Sequence, residues 1–164
     1  MSDQGRRISQ AFERDEAFEK LDETTYDVVT TPFDAEVRIE GGENPARTVE
    51  VRVPTLSAVV RDEVAPVVEA GWLETLERRM EDAHMPLSGT DDPAASIAID
   101  GEDVTITGTI TDPDPRRGAN DARAFVTYVE GTYMEGVIPG YEYDEPVASM
   151  RERAYQSGSD VSNS

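Results

Sequence analysis

The sequence predicts an α+β fold, with helices on one face of an antiparallel sheet of about five strands. Three observations predict it. Two pairs of segments alternate apolar and polar residues around a turn, which is typical of hairpins with one solvated face. Longer segments with helical apolar periodicity separate and follow these hairpins. Parallel strand-helix-strand alternation and internal repeats do not occur, so we expect the order α-β-β-β-α-β-β-α-α in a single domain over residues 1–155.

The first two elements are a helix and a strand. Residues 3–18 carry apolar side chains at near-helical spacing, and Ser2 or Asp3 is available as the N-cap. This pattern predicts a short amphipathic helix. The segment 26–31 is rich in β-branched side chains and is interrupted at Pro32, which predicts a strand.

A hairpin and a long helix follow. Residues 35–39 and 49–53 alternate apolar and charged side chains, and the loop 41–45 between them contains two glycines, an asparagine and a proline. From residue 62 to residue 83 the main apolar side chains stand four residues apart. This spacing predicts a helix, provided that Pro66 lies in its first turn.

A second hairpin is predicted beyond a loop. Residues 85–95 contain two prolines and a glycine, which is typical of a loop. The segments 97–99 and 104–110 alternate again around an acidic turn at 100–103. Two further prolines follow, and we expect an exposed loop at residues 111–118.

Two helices complete the predicted domain. The first has Asn120 or Asp121 as its N-cap and stops at Pro139. Asp144 is available to cap a last short helix. The polar residues 156–164 are expected to form a flexible tail.

The composition argues against several classes of protein. The 164 residues include 35 Asp and Glu, 15 Lys and Arg and no Cys, with a formal net charge of -20. The lack of cysteine excludes a disulfide framework and a cysteine-rich metal site. The charge balance argues against a nucleic-acid partner, because phosphate contacts need clustered Lys and Arg on one face. No apolar run approaches the roughly 20 residues of a membrane helix, and no signal peptide is recognisable. We therefore expect a cytoplasmic protein without membrane contact.

The acidic excess is interpreted as adaptation to salt. Lys20 is the only lysine, and the acids are spread along the chain. At molar salt a Debye length of about 3 Å screens the self-repulsion of such a surface, which stays hydrated and holds hydrated salt cations. The alternative, an acidic patch for a basic partner, predicts clustered acids, and the sequence does not cluster them. We therefore expect a halophilic protein.

No catalytic residue, metal site or cofactor is predicted. His84, the only histidine, follows the acidic end of the long predicted helix, and we interpret it as a solvated residue. Asp112, Asp114 and Asp121 offer oxygen ligands that suit Ca²⁺ or Mg²⁺, but their spacing fits no calcium loop. We interpret their proximity as chance. Whether the protein is an enzyme stays open, and we favour a protein without catalytic activity.

Two adjacent arginines form the first candidate binding site. Arg116 and Arg117 precede a predicted helix N-terminus, whose backbone N–H groups also attract anions. The pair is therefore a candidate site for a phosphate or a carboxylate. The alternative, which we favour, is that both side chains pair with the surrounding aspartates.

A group of tyrosines forms the second candidate site. Four of the six tyrosines in the chain lie close together among glycines and a proline: Tyr128, Tyr133, Tyr141 and Tyr143. Tyrosine joins apolar area to a hydrogen-bonding tip and is enriched at interfaces. Tyr133 also continues the apolar stripe of the predicted helix, so part of the segment serves the core. The cluster is a candidate surface for a partner or a ligand.

Six stretches of sequence carry a resemblance to a known family. They are TPFD (31–34), VRVPTLS (51–57), GW with ETLERR (71–79), YVEGTY (128–133), IPGY (138–141) and PVAS (146–149). On these stretches the chain resembles an uncharacterised haloarchaeal family with a domain of unknown function, over about residues 8–155. The resemblance implies a haloarchaeal source and no known activity. The element order is also similar to that of secretion-chaperone-like domains, which bind a partner chain and often dimerise.

Two functions follow from these patterns. The first is a non-enzymatic protein-binding or chaperone-like module that holds a protein partner or a second copy of itself at residues 128–143. The alternative is a small anionic ligand-binding protein or enzyme that uses Arg116 and Arg117. A structural or regulatory subunit that is inactive alone is a third possibility. A deep cleft with converging polar groups favours a ligand, whereas a flat aromatic patch favours a partner.

Overall fold

A computed structural model describes residues 2–41 and 45–162 of the chain, with side chains described up to Ala154. These residues form five helices and six strands. The helices are α1 (Asp3–Glu13), α2 (Leu56–Val59), α3 (Pro66–Met80), α4 (Pro115–Glu135) and α5 (Val147–Ser162). The strands are β1 (Phe18–Lys20), β2 (Thr25–Val28), β3 (Asp34–Ile39), β4 (Arg47–Pro54), β5 (Ser96–Asp100) and β6 (Asp103–Ile110).

The strands form one antiparallel sheet in the order β1-β2-β3-β4-β6-β5. The predicted α+β class is therefore confirmed, with six strands where about five were expected. Strict alternation of burial along β3, from exposed Asp34 to buried Ile39, shows why its sequence was readable. The sheet buries one face under α1 and α4, whereas the other face is polar and uncovered by them.

The additional strand lies directly after the first helix. Helix α1 ends at Glu13 rather than at residue 18, because the Asp15 carboxylate accepts the backbone N–H of Ala17 at 2.9 Å and turns the chain. Phe18 then pairs with Val28 in the sheet, and its ring packs edge-on against that of Phe12 at 4.7 Å between centroids. The prediction of a helix up to residue 18 is therefore wrong, because Phe18 continues the apolar spacing of α1 but belongs to β1.

The start of α4 also differs from the prediction. Asp114, and neither Asn120 nor Asp121, is the N-cap, since its side chain accepts the backbone N–H of Arg117. Pro115 occupies the first turn, where a missing N–H has no consequence. The predicted exposed loop over 111–118 is therefore wrong from Pro115 onward.

Among the remaining helices α3 fits the prediction, α2 was not predicted, and α5 is longer than the short helix expected. Helix α3 begins at Pro66, which lies in its first turn as expected. Helix α5 continues to Ser162, and the tail predicted at 156–164 falls on residues whose side chains lie outside the described residues. In the described part of the chain, no helix has both the length and the apolar character needed to cross a membrane.

Candidate functional site

Two of the four clustered tyrosines lie in the core. Tyr133 is 2% exposed, and its hydroxyl donates a hydrogen bond to the Pro54 carbonyl at 3.0 Å. Tyr143 is 5% exposed, and its hydroxyl both donates to the carbonyl and accepts from the N–H of Ile138. Desolvation raises the pKa of both phenols. These two side chains therefore join parts of the fold to one another.

The other two tyrosines are half-buried. The Tyr128 hydroxyl donates to the Arg79 carbonyl at 2.6 Å and so ties α4 to the end of α3. Tyr141 offers its carbonyl to Arg151 at 3.4 Å. The four rings do not form one exposed patch: Tyr133 serves the core, as its place in the apolar stripe predicted, and three of the four hydroxyls find backbone partners within the chain.

The two adjacent arginines have separate roles. On a helix, successive side chains point about 100° apart. The guanidinium of Arg117 forms a two-point ion pair with Asp112, at 2.5 and 2.9 Å, and Asp112 is fully buried. This contact lowers the pKa of the Asp112 carboxyl. Arg117 is thus a structural residue, whereas Arg116 is exposed and points elsewhere.

A buried arginine beneath α4 was not predicted. Arg47 is 1% exposed, and its guanidinium donates to the Asp112 carbonyl at 2.5 Å and to the Pro45 carbonyl at 3.2 Å. Asp121, 1% exposed, lies near enough to favour the charged form of Arg47 and accepts the backbone N–H groups of Ser88 and Gly89. Desolvation still lowers the pKa of Arg47 overall.

This buried cluster fixes where α4 begins. Arg47 starts β4, and the alternation of that strand through Val49, Val51 and Val53 places it on the inward face. In the sequence, the burial of Arg47 could have been predicted from this alternation, because Arg47 lies two residues before Val49. The cluster joins β4, the loop around residue 89 and the first turn of α4, and so holds Arg116 in place.

A cavity of about 990 Å³ opens between α1 and α4. Four arginines line it: Arg7 of α1, Arg14 at the C-cap of α1, and Arg116 and Arg123 of α4. We call this cavity the arginine groove. Of these four, the sequence analysis identified Arg116 alone. The two arginines at each helix are seven residues apart in the sequence, and side chains at that separation lie on the same face of a helix.

The two helices of the arginine groove run in the same direction. Near their starts, the side-chain amide of Gln4 donates to the Pro113 carbonyl at 2.5 Å. Near the end of α1, Asp15 lies 3.5 Å from the Arg123 guanidinium. The first arginine of each helix therefore stands at one end of the groove, and the second arginine of each stands further along it.

Three carboxylates also line the arginine groove, so its lining carries a net charge of about +1 in a chain of -20. Asp114 is committed to capping α4 through the N–H of Arg117. Asp15 accepts the N–H of Ala17 and contacts Arg123. The third carboxylate is the exposed glutamate after Asp15.

The candidate metal ligands are engaged in the fold. Asp112 binds Arg117, Asp114 caps α4, and Asp121 binds two backbone N–H groups of a loop. His84 is exposed. Among the side chains described, in residues 2–41 and 45–154, no group of three or more His, Asp or Glu residues is arranged to hold a metal ion.

A comparison with known protein families matches residues 13–153 to DUF5813, described as a family of unknown function. The match confirms the predicted resemblance to a family without known function. Arg14, Arg116 and Arg123 lie within the matched residues, and Arg7 precedes them. A comparison with curated proteins gives no match.

Proposed function

The chain belongs to DUF5813, a family of unknown function, and we propose from the geometry that it binds a small anion with several negative groups in the arginine groove. One observation carries this proposal. Of the 15 basic residues in a chain with 35 acids, four line a single cavity. Its volume, about 990 Å³, is at the upper end of the range of ligand sites.

Three of these arginines have no acidic partner among the described residues, which supports a role in binding rather than in holding the fold. In the described part of the chain, Arg7, Arg14 and Arg116 form no ion pair, despite the surplus of carboxylates. Only Arg123 has an acidic partner, Asp15, at 3.5 Å. Unpaired guanidinium groups keep their hydrogen-bond donors available, and their planar fork suits phosphate and carboxylate oxygens.

Isothermal titration with sodium tripolyphosphate tests the proposal. Loss of a charge-assisted hydrogen bond costs about 1.5–3 kcal/mol, so Arg116→Gln is expected to weaken binding about 10- to 100-fold. Arg38→Gln is the matched control, because Arg38 is also exposed and forms no ion pair among the described residues, but lies on the open face of the sheet. Equal weakening by both variants, or no binding by the wild type, contradicts the proposal.

We propose in addition that the protein is adapted to molar salt, as a haloarchaeal cytoplasmic protein would be. The exposed carboxylates and the near-exclusive use of arginine support this. Circular dichroism from multimolar KCl to roughly 50 mM KCl, where screening is weak, tests it. A cooperative loss of structure at low salt is expected, and an unchanged fold contradicts it.

A second candidate is a homodimer joined at β5, which is a different surface from residues 128–143, where the sequence analysis placed a partner. This edge strand is uncharged up to Asp100, and its Ile99 is 54% exposed although it pairs with fully buried Val104. Light scattering is expected to show a dimer that Ile99→Asp dissociates. Leu21→Asp, at the same 54% exposure, is the control that leaves it intact. A monomeric wild type contradicts this candidate.

A further inference from the structure

We propose that the ligand of the arginine groove is an elongated, non-aromatic molecule with an anionic group at each end and a polar, uncharged middle. A phosphorylated sugar or polyol of six carbons is the chemical class that fits. This inference rests on the proposed anion binding and adds the shape and the charge distribution of the ligand.

The first step is the spacing of the arginines. A helix rises 1.5 Å per residue, so arginines seven residues apart lie about 10 Å apart along the axis. Because α1 and α4 run in the same direction, Arg7 and Arg116 form one pair, and Arg14 and Arg123 form a second pair about 10 Å away. Each end of the arginine groove therefore offers two guanidinium groups, with Asp114 beside the first pair and Asp15 and the following glutamate beside the second.

The second step is what lies between the two pairs. Gln10 stands between the arginines of α1, and Asn120 stands between those of α4, and both line the groove. Their amides supply neutral donors and acceptors. The Asn120 carbonyl oxygen accepts from Arg123 at 3.3 Å, which leaves its NH₂ group available. A ligand whose middle is hydroxylated and uncharged can form hydrogen bonds with these two amides. A compact anion is too short to reach both arginine pairs.

The lining of the groove argues against an aromatic ligand. The described residues that line the groove include no Phe, Tyr or Trp. A nucleobase therefore finds no ring to stack on, and stacking supplies much of the affinity in base-binding grooves. With bond lengths near 1.5 Å, an extended six-carbon chain with an ester oxygen at each end separates its two phosphorus atoms by roughly 10 Å. This length matches the spacing of the two arginine pairs.

The test compares two probes that differ by one phosphate. Mannitol 1,6-bisphosphate, an open-chain polyol, carries a phosphate at each end of its six-carbon chain, and mannitol 1-phosphate carries only one. By isothermal titration we expect the bisphosphate to bind at least about 10-fold more tightly. Arg14→Gln together with Arg123→Gln removes one arginine pair, so the two polyol phosphates are expected to bind this variant equally. Thermal unfolding of the variant checks that these exposed substitutions leave the fold intact.

The outcomes separate this inference from the proposal on which it rests. If tripolyphosphate binds through Arg116 and the bisphosphate has no advantage over the monophosphate, anion binding stands and the elongated ligand is wrong. If the bisphosphate advantage persists in the Arg14→Gln, Arg123→Gln variant, the second arginine pair is not used and the inference is again wrong. If neither probe nor tripolyphosphate binds the wild type, both proposals fail.

Discussion

Substitution of Gly118 by alanine tests the buried cluster that holds the start of α4. A Cβ atom at this position overlaps Nη2 of Arg47. The Arg47 side chain is 1% exposed and is held by the Asp112 and Pro45 carbonyls, so it has no path to solvent. Accommodating one methyl group therefore requires either a shift of α4 or the loss of a buried hydrogen bond.

The expected magnitude follows from three opposing terms. Alanine in place of glycine inside a helix gains about 1 kcal/mol. Overpacking costs about 1–3 kcal/mol, and a lost hydrogen bond to a charged group costs about 1.5–3 kcal/mol. Where α4 shifts and the hydrogen bond is also lost, the net destabilisation of Gly118→Ala is about 1.5–5 kcal/mol. For a chain of this size that lowers the unfolding temperature by roughly 3–20 °C.

The assay is urea unfolding in high salt, with a control in the same helix. Gly131 also lies in α4, but it is exposed and nothing stands within 4 Å of an added Cβ. Gly131→Ala is expected to raise the free energy of unfolding by about 0.5–1 kcal/mol. Opposite signs for the two variants support the reasoning. A Gly118→Ala protein as stable as Gly131→Ala would falsify it.

Two further predictions concern residues that serve the fold. The pKa of Asp112 is lowered in the folded state by Arg117, so its contribution to stability is present above the unfolded pKa of about 3.9 and is lost as the pH falls through and below that value. Asp112→Asn is therefore expected to flatten the decline of the unfolding free energy between about pH 5 and pH 2, as measured by urea unfolding, and an unchanged slope contradicts this. Tyr133→Phe removes the hydrogen bond to the Pro54 carbonyl and is expected to cost about 1–2 kcal/mol of stability, with no change in tripolyphosphate affinity by titration. A Tyr133→Phe protein with unchanged unfolding free energy and weaker tripolyphosphate binding contradicts this prediction.

The sheet was largely readable from the sequence because burial alternates along its strands. In β3 and β4 every second residue faces the core, and the amino acids follow that period, as in Val49, Val51 and Val53. The α3 start at Pro66 was readable for a local reason, since proline suits the first turn.

The start of α4 was not readable, because partners distant in the sequence decide it. The network of Arg47, Asp112 and Arg117 commits residues 115–118 to the helix, and local signals favoured the caps at Asn120 or Asp121. The contact between Arg47 and Gly118 joins residues distant in the sequence, so local helix propensity does not predict it.

The candidate site was readable only in part. Arg116 was identified from its neighbourhood, but Arg7, Arg14 and Arg123 became relevant only when α1 and α4 packed side by side. The sequence does contain the two pairs with a separation of seven, yet nothing local says that the two helices are neighbours. In the tyrosine segment the burial of Tyr133 followed from its place in the apolar stripe, whereas the burial of Tyr143 depends on its contacts with Ile138 and had no signal in the periodicity.

Anion binding in the arginine groove is tested most directly by NMR of the arginine side chains. Each Nε–H group gives its own signal, and titration with mannitol 1,6-bisphosphate reports which guanidinium groups contact the ligand. We expect the signals of the four groove arginines to shift with one common saturation curve, while Arg38 and Arg52 on the open face of the sheet stay fixed. Shifts shared by all exposed arginines, or no shift in the groove, contradict the account.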